Sequence, residues 1–314
     1  MKIVFFGTPD FSIPTLQKLI DSHHKVIGVV TQPDKPVGRN GKIVFSPVKQ
    51  LALANNIPVY QYEKIRRDGV EELQNLKADV FVTAAYGQIL SKDILEASVY
   101  GVFNVHGSLL PKYRGAAPIQ WSVINGDKVT GITILRSEVG MDDGDIILKK
   151  EVPIGDNETA GELFDRLAVI GADCLMEALE QLENGTITYT PQDHSQATVC
   201  KMLKKENNTI DFNNTAYLVK HFVLGLNPWP VAEMKLEEGR FKVYRADIYT
   251  NPNYDYQNYK IGEIVVASAK GGLVVRAMDG LVEITEIQAE NGKVMSAKSL
   301  LNGKHIRVGQ IVNE

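Results

Sequence analysis

Cysteine is nearly absent from this chain: Cys174 and Cys200 are the only two in 314 residues, far apart and without a CxxC. That excludes a disulfide scaffold and a cysteine-based zinc site, and it fits a reducing, cytoplasmic setting. Long apolar runs are missing too. Nothing approaches the ~18–20 residues of a membrane span, so no membrane association is expected. The apolar start Met1–Phe6 breaks at Gly7-Thr8-Pro9-Asp10, too soon for a secretory signal. Charge of one sign is lacking as well. Lys+Arg 34 against Asp+Glu 38 leaves −4, so bulk charge gives no support for nucleic-acid binding. Finally, the first strand-to-helix turn carries one glycine, Gly7, where GxGxxG or GxxxxGK[ST] would announce a nucleotide. A tight turn accounts for it, and a nicotinamide or ATP site there is not expected.

What is present has a clear rhythm. Lys2–Phe6, Val26–Val30, Ile57–Tyr60, Ala78–Ala85, Gly101–His106 and Ile132–Leu135 are apolar strand-like runs. Helical segments with cap and proline signals lie between them, as at Ser12–Pro14 and Ser46–Pro47. Alternation of this kind predicts an α/β fold: a doubly wound, Rossmann-like, mostly parallel sheet. The last long helix is expected over Thr159–Leu182, with Leu163, Leu167, Ile170, Leu175, Leu179 and Leu182 near helical spacing. Three segments follow from this pattern: an α/β domain over 1–190, a polar linker over 191–208, and a second domain over 209–314. The second domain opens with a helix near Thr215–Leu224. Short strands are expected at Lys242–Ile248, Gly262–Ala267, Leu273–Arg276, Val282–Gln288 and Ile306–Val312. About five short strands between turns suggest a small OB-like β-barrel.

Three places hold residues that suit chemistry. Asn104 and His106 end an apolar strand two positions apart, so both project from one face. The carboxyl end of a strand in an open α/β sheet is where ligand crevices form. A structural role, with the imidazole bonded to a backbone carbonyl, is an equal reading of these two residues. Gly140-Met141-Asp142-Asp143-Gly144-Asp145 packs three carboxylates into six residues. It could hold a divalent cation or form Asx-turns, or one aspartate could orient His106. Between Lys35 and Tyr62 there are four cations (Lys35, Arg39, Lys42, Lys49) and no carboxylate. Such a stretch is either a solvated loop or a phosphate-contacting element.

The ordered motifs resemble one family. Residues 103–127 (FNVHGSLLPKYRGAAPIQWSVINGD) and GMDDGD at 140–145 are similar to the signature of the 10-formyltetrahydrofolate-dependent formyltransferases. GTPDF at 7–11, TQPDKPVGR at 31–39, AYGQIL at 85–90, LNPWP at 226–230 and MSAKSLLNG at 295–303 extend the likeness along the whole chain, toward the methionyl-tRNA formyltransferases. The resemblance implies formyl transfer from 10-formyltetrahydrofolate, the co-substrate, to the α-amino group of methionyl initiator tRNA, by a cytoplasmic monomer that needs no metal.

It implies Asn104, His106 and Asp142 as the catalytic trio. It also implies folate contacts from Ser108, Leu109, Leu110 and Pro111, with Tyr86, Gly87, Gln88, Ile89 and Leu90 lining the same pocket. Arg39, with Lys35 and Lys42 beside it, matches a loop that meets the acceptor end of tRNA. Asp143 departs from the pattern, which has Thr after the catalytic aspartate. Ser108 lacks a neighbouring triad signature and is given no nucleophilic role. The second domain carries twelve cations and twelve carboxylates, so an RNA face would need cations gathered on one side, such as Lys204, Lys205, Lys242 and Arg245. Two other readings share parts of this pattern. One is a formyltransferase of a small amino sugar, which would lack the basic loop and the LNPWP-containing half. The other is a non-catalytic RNA-binding protein on the same fold.

Overall fold

The computed structural model describes residues 1–37 and 41–313. It comprises two compact units. The first is Met1–Gly115, Thr130–Pro153 and Phe164–Cys200; the second is Ala116–Val129, Ile154–Leu163 and everything from Lys201.

The first unit is built on a seven-stranded sheet. Its strands in chain order are β1 (Lys2–Gly7), β2 (Lys25–Thr31), β3 (Val59–Gln61), β4 (Val80–Ala84), β5 (Val102–His106), β6 (Val129–Arg136) and β7 (Ile146–Pro153). The spatial order is β7-β6-β5-β4-β1-β2-β3. The strands from β5 to β3 pair in parallel, and β6 joins β5 antiparallel. Strand order reverses between β1 and β4, which makes their carboxyl ends the crevice position for a ligand. Every residue of β4, and every residue of β1 after Lys2, is buried. Near-continuous apolar runs such as IVFF and VFV are what a sheet covered on both faces requires. Phe6, Phe81 and Tyr86 interlock at ring separations of 5.1 and 5.6 Å.

The long helix Ala160–Glu183 starts on a capping box. The Thr159 N–H donates to Glu162 Oε2 at 2.8 Å, and the Glu162 N–H donates to Thr159 Oγ1 at 3.2 Å. Of its expected stripe, Leu163, Leu167, Leu175 and Leu179 are fully buried, while Ile170 and Leu182 are half-buried. Gly171 lets the helix approach β5 closely, since a Cβ there would sit 2.7 Å from Val105 Cγ1.

Residues 191–200 do not behave as the front of a linker. Gln192 and Cys200 are buried, and Val199–Cys200 pairs in parallel with Arg114–Gly115. The polar, aperiodic sequence hid this because the segment is held by side-chain and backbone hydrogen bonds rather than by an apolar stripe.

In the second unit the helix Ala216–Gly225 is capped by Thr215, whose hydroxyl accepts the Leu218 N–H. A six-stranded antiparallel sheet follows. Its strands are β8 (Ala232–Leu236), β9 (Gly239–Tyr249), β10 (Ile264–Ser268), β11 (Gly272–Arg276), β12 (Leu281–Ala289) and β13 (Met295–Ser296). The order is β8-β9-β12-β11-β10, with β13 on β12. The expected strand at Ile306–Val312 is a correction: the stretch makes one isolated bridge, Glu263 to Ile311, and Gly309 at φ +86° breaks any extended run.

Candidate active site

Strand β5 delivers two polar side chains at its carboxyl end. Asn104 lies opposite Thr83 of β4, whose hydroxyl donates to Asn104 Oδ1 at 2.8 Å. The Asn104 amide NH2 turns to Asp142 Oδ1 at 3.4 Å. A carboxylate only accepts, so these two partners fix which end of the amide is which. One of its two N–H groups is left without an acceptor among the described residues.

His106 is buried, 6% exposed, and its Nε2 lies 2.9 Å from Tyr113 O. A carbonyl only accepts, so Nε2 carries a proton and Nδ1 is the nitrogen left for chemistry. Nδ1 is 3.7 Å from Asp142 Oδ2. That is ion-pair range but too long for a direct hydrogen bond, so the Tyr113 carbonyl, rather than the aspartate, fixes the ring. Asp142 Oδ2 instead accepts the Gly115 N–H at 2.8 Å. Asp142 itself sits at φ +48°, a left-handed conformation that Asp tolerates better than most residues. Gly144 beside it has no room for a side chain: a Cβ would lie 1.9 Å from Arg136 O. Asp143, the departure from the motif, lays its carboxylate over Gly140, with Oδ1 buried and without a hydrogen-bond partner among the described residues.

The chain then turns through 107–113. Thr133 Oγ1 donates to Ser108 O at 2.7 Å and accepts the Leu110 N–H at 3.1 Å, which pins the turn to β6. The residues expected to contact folate here differ in exposure. Ser108 is fully buried and its hydroxyl is spent on Lys112 O at 2.7 Å, while Leu110 is fully buried against Leu135 and Ile146. Leu109 and Pro111 are the half-buried members of this stretch.

The 85–90 loop follows β4, and its members have different fates. The Tyr86 side chain is core, and burial pushes its phenol pKa up. Its carbonyl accepts from Thr8 Oγ1 and from Gln32 Nε2, each at 3.1 Å. Gln88 is tied to Tyr62 O at 2.8 Å and to the Ile65 N–H at 2.9 Å, and Leu90 packs on the core. Gly87, at φ +91°, and Ile89, 74% exposed, are the open positions.

Residues 1–179 match the family model described as formyl transferase, and residues 202–305 match the formyl transferase C-terminal domain. The chain belongs to the formyl transferase family. It is 45% identical over 311 residues to the methionyl-tRNA formyltransferase of Ruminiclostridium cellulolyticum, with 99% of each chain covered. Against the methionyl-tRNA formyltransferase of Clostridioides difficile it is 43% identical over 313 residues, covering 99% of this chain and all of that one. Among solved structures, a sugar 3N-formyl transferase crystallised with dTDP and 5-N-formyl-THF superposes with a TM-score of 0.69. At 19% identity, over 90% of this chain and 96% of that one, the likeness is one of fold.

Three features sharpen the site of this formyl transferase. First, its orienting roles were not legible in the sequence: Tyr113, Arg114 and Gly115 lie inside the 103–127 motif but act through a backbone carbonyl, a side-chain pairing and a backbone N–H, while Thr83, Thr133 and Gln192 lie outside it. Second, the carboxylates at 142–145 do not converge on a cation position. Among the described residues, the group of close-set potential ligands is His23, His24 and Glu183.

Third, the basic stretch is only partly free. Lys35 is exposed on the ribbon in which Lys35–Val37 pairs with Lys42–Val44. Lys49 is committed to an ion pair with Asp34 and to Gln61 Oε1 at 2.9 Å. That partnership holds the Asp34 carboxyl below its usual range. Arg39 lies outside the described residues. In the second unit Lys204, Lys205 and Lys242 are exposed, while Arg245 pairs with Glu162 at 2.5 Å and Glu286 at 3.8 Å.

Proposed function

We propose that this member of the formyl transferase family moves a formyl group from 10-formyltetrahydrofolate to the α-amino group of methionyl initiator tRNA. The observation that carries the reading is the convergence of Asn104, His106 and Asp142 at the end of β5, in a chain 45% identical end to end to a methionyl-tRNA formyltransferase.

The arrangement suits the chemistry. Attack of a neutral amine on the formyl carbon creates a tetrahedral intermediate with a developing oxyanion. The free Asn104 N–H donates to that oxygen, and a protonated His106 Nδ1 supplies a second donor. The proton lost by the attacking amine is taken up by Asp142 or a bound water, and the intermediate collapses by breaking the bond from the formyl carbon to N10, which gains a proton as tetrahydrofolate leaves. The folate is received by the open members of the two turns: Leu109 and Pro111 on one side, Gly87 and Ile89 on the other. Lys35, Arg39 and Lys42 meet the acceptor-end phosphates. A single-stranded 3′ end is read by shape, stacking and backbone contacts, which suits cations carried on strands and loops. Catalysis is assigned to a monomer in the cytoplasm; no helix among the described residues is long and apolar enough to cross a membrane.

The test is a transfer assay with labelled 10-formyltetrahydrofolate against charged initiator tRNA, charged elongator tRNA, uncharged tRNA and free methionine. Formyl on charged initiator tRNA alone is the expected result. Transfer to none of them, with folate still bound, would overturn the acceptor and favour an amino sugar.

A further inference from the structure

The loop that carries Asp142 is fastened from behind by one buried amide. Gln192 is 6% exposed, and its Nε2 donates to Asp142 O and to Gly144 O, each at 2.8 Å. Its Oε1 accepts from Arg114 Nε at 3.2 Å and from Arg114 Nη2 at 2.7 Å. Arg114 is 8% exposed and also reaches His194 Nδ1 at 3.2 Å. A guanidinium has no acceptor, so it forces the carbonyl end of the amide toward itself and the NH2 end toward the two loop carbonyls. The next residue after Arg114 completes a ring, because the Gly115 N–H holds Asp142 Oδ2. One arginine–glycine dipeptide thus anchors Asp142 twice: through its carboxylate directly, and through its backbone by way of Gln192.

We propose that Gln192 is a positioning residue for formyl transfer. It clamps the left-handed backbone at Asp142 so that the carboxylate stays between Asn104 Nδ2 and His106 Nδ1. Resting on the reading above, this adds a residue from the polar stretch that ends the first unit. Two features make the clamp specific to position rather than to bulk stability. Both carbonyls it holds belong to the aspartate loop, and its hydrogen-bonding capacity is fully used, which leaves nothing to address a substrate.

The test replaces Gln192 by Met, similar in length but without the two donors, in the full-length enzyme. Single-turnover formylation rate, KM for both substrates and thermal midpoint are measured for wild type, Gln192→Met, Asp142→Ala and the double variant. A displacement of about 1 Å at a reacting group costs up to ~10²-fold, so the rate should fall ~10–100-fold with both KM values within about twofold. In the Asp142→Ala background the same change should have no further effect on rate, because it acts only through that carboxylate. A rate loss that multiplies with that of Asp142→Ala, a loss that appears in KM, or a Gln192→Met enzyme at wild-type rate would each overturn the proposal. A wild-type enzyme that transfers no formyl at all would instead sink the underlying reaction.

Discussion

Replacing Asn104 by Ala tests the chemistry at its most exposed assumption. The amide is held by Thr83 on its oxygen at 2.8 Å and by Asp142 on one N–H at 3.4 Å, so the other N–H is aimed rather than free to rotate. A preorganised donor to a developing oxyanion is worth ~10²–10³ in rate, or about 2.7–4 kcal/mol. Because the charge it meets appears only in the transition state, the loss belongs to kcat, with KM for folate and for tRNA little changed. A stability cost should accompany it. Thr83 is 7% exposed and would lose the acceptor of its hydroxyl, which costs about 1–3 kcal/mol. The thermal midpoint should therefore fall by several degrees without loss of the fold, at about 2–4 °C per kcal/mol. The assay is steady-state formylation of charged initiator tRNA at saturating folate, beside a thermal melt. A kcat within threefold of wild type in a folded Asn104→Ala enzyme would refute the oxyanion role. So would an effect confined to KM.

Other perturbations read other parts of the molecule. His106→Ala should nearly abolish transfer while leaving the protein folded, and full activity in that variant would remove His106 from the trio. Thr133→Val keeps the shape of the side chain but strands Ser108 O and the Leu110 N–H, at about 1–3 kcal/mol for each buried group. It should lower the melting midpoint and raise KM for the folate; an unchanged KM would show that the 108–111 turn does not form the folate wall.

Affinity for charged tRNA should drop about 20–40-fold between 50 and 200 mM salt if Lys35, Arg39 and Lys42 each meet a phosphate, at a logarithmic slope of ~0.7–0.9 per contact. Salt-insensitive binding would count against that contact set.

Burial lowers the pKa of His24 and of His221, outweighing the opposing pull of Glu183 on the first and of the Tyr217 carbonyl on the second. Both therefore take up a proton less readily in the fold, and the unfolded chain binds more protons as pH falls toward and below about 6.5. Their contribution to stability is complete above that value and declines as pH falls below it. Urea midpoints for wild type and His221→Gln should converge between pH 7.5 and 5.5, and a constant gap would contradict the assignment.

The sequence by itself determined the layered architecture. Runs such as Ile3–Phe6 and Val80–Val82, short and bounded by turn residues, read as strands buried on both faces, and the helical stripe Leu163–Leu167–Leu175–Leu179 reads as their cover. The positions of Asn104 and His106 were also legible. A strand that stays apolar and then ends in two polar residues on one face reads equally as structure or as site, and the family motif decides between the two. Asp142 was visible as one of three carboxylates, and the family motif selected it.

Tertiary structure alone decided how those groups are oriented. Tyr113 and Gly115 act through a backbone carbonyl and a backbone N–H, and backbone atoms carry no sequence signature. Gln192 lies fifty residues after the aspartate it supports, in a polar stretch that reads as a linker because hydrogen bonds leave no hydrophobic period. Ser108 and Leu110 belong to the motif, and packing buries both side chains in the turn. Residue type and local period are properties of the chain. Which donor meets which acceptor is a property of the folded contact map, and formyl transfer depends on that second layer.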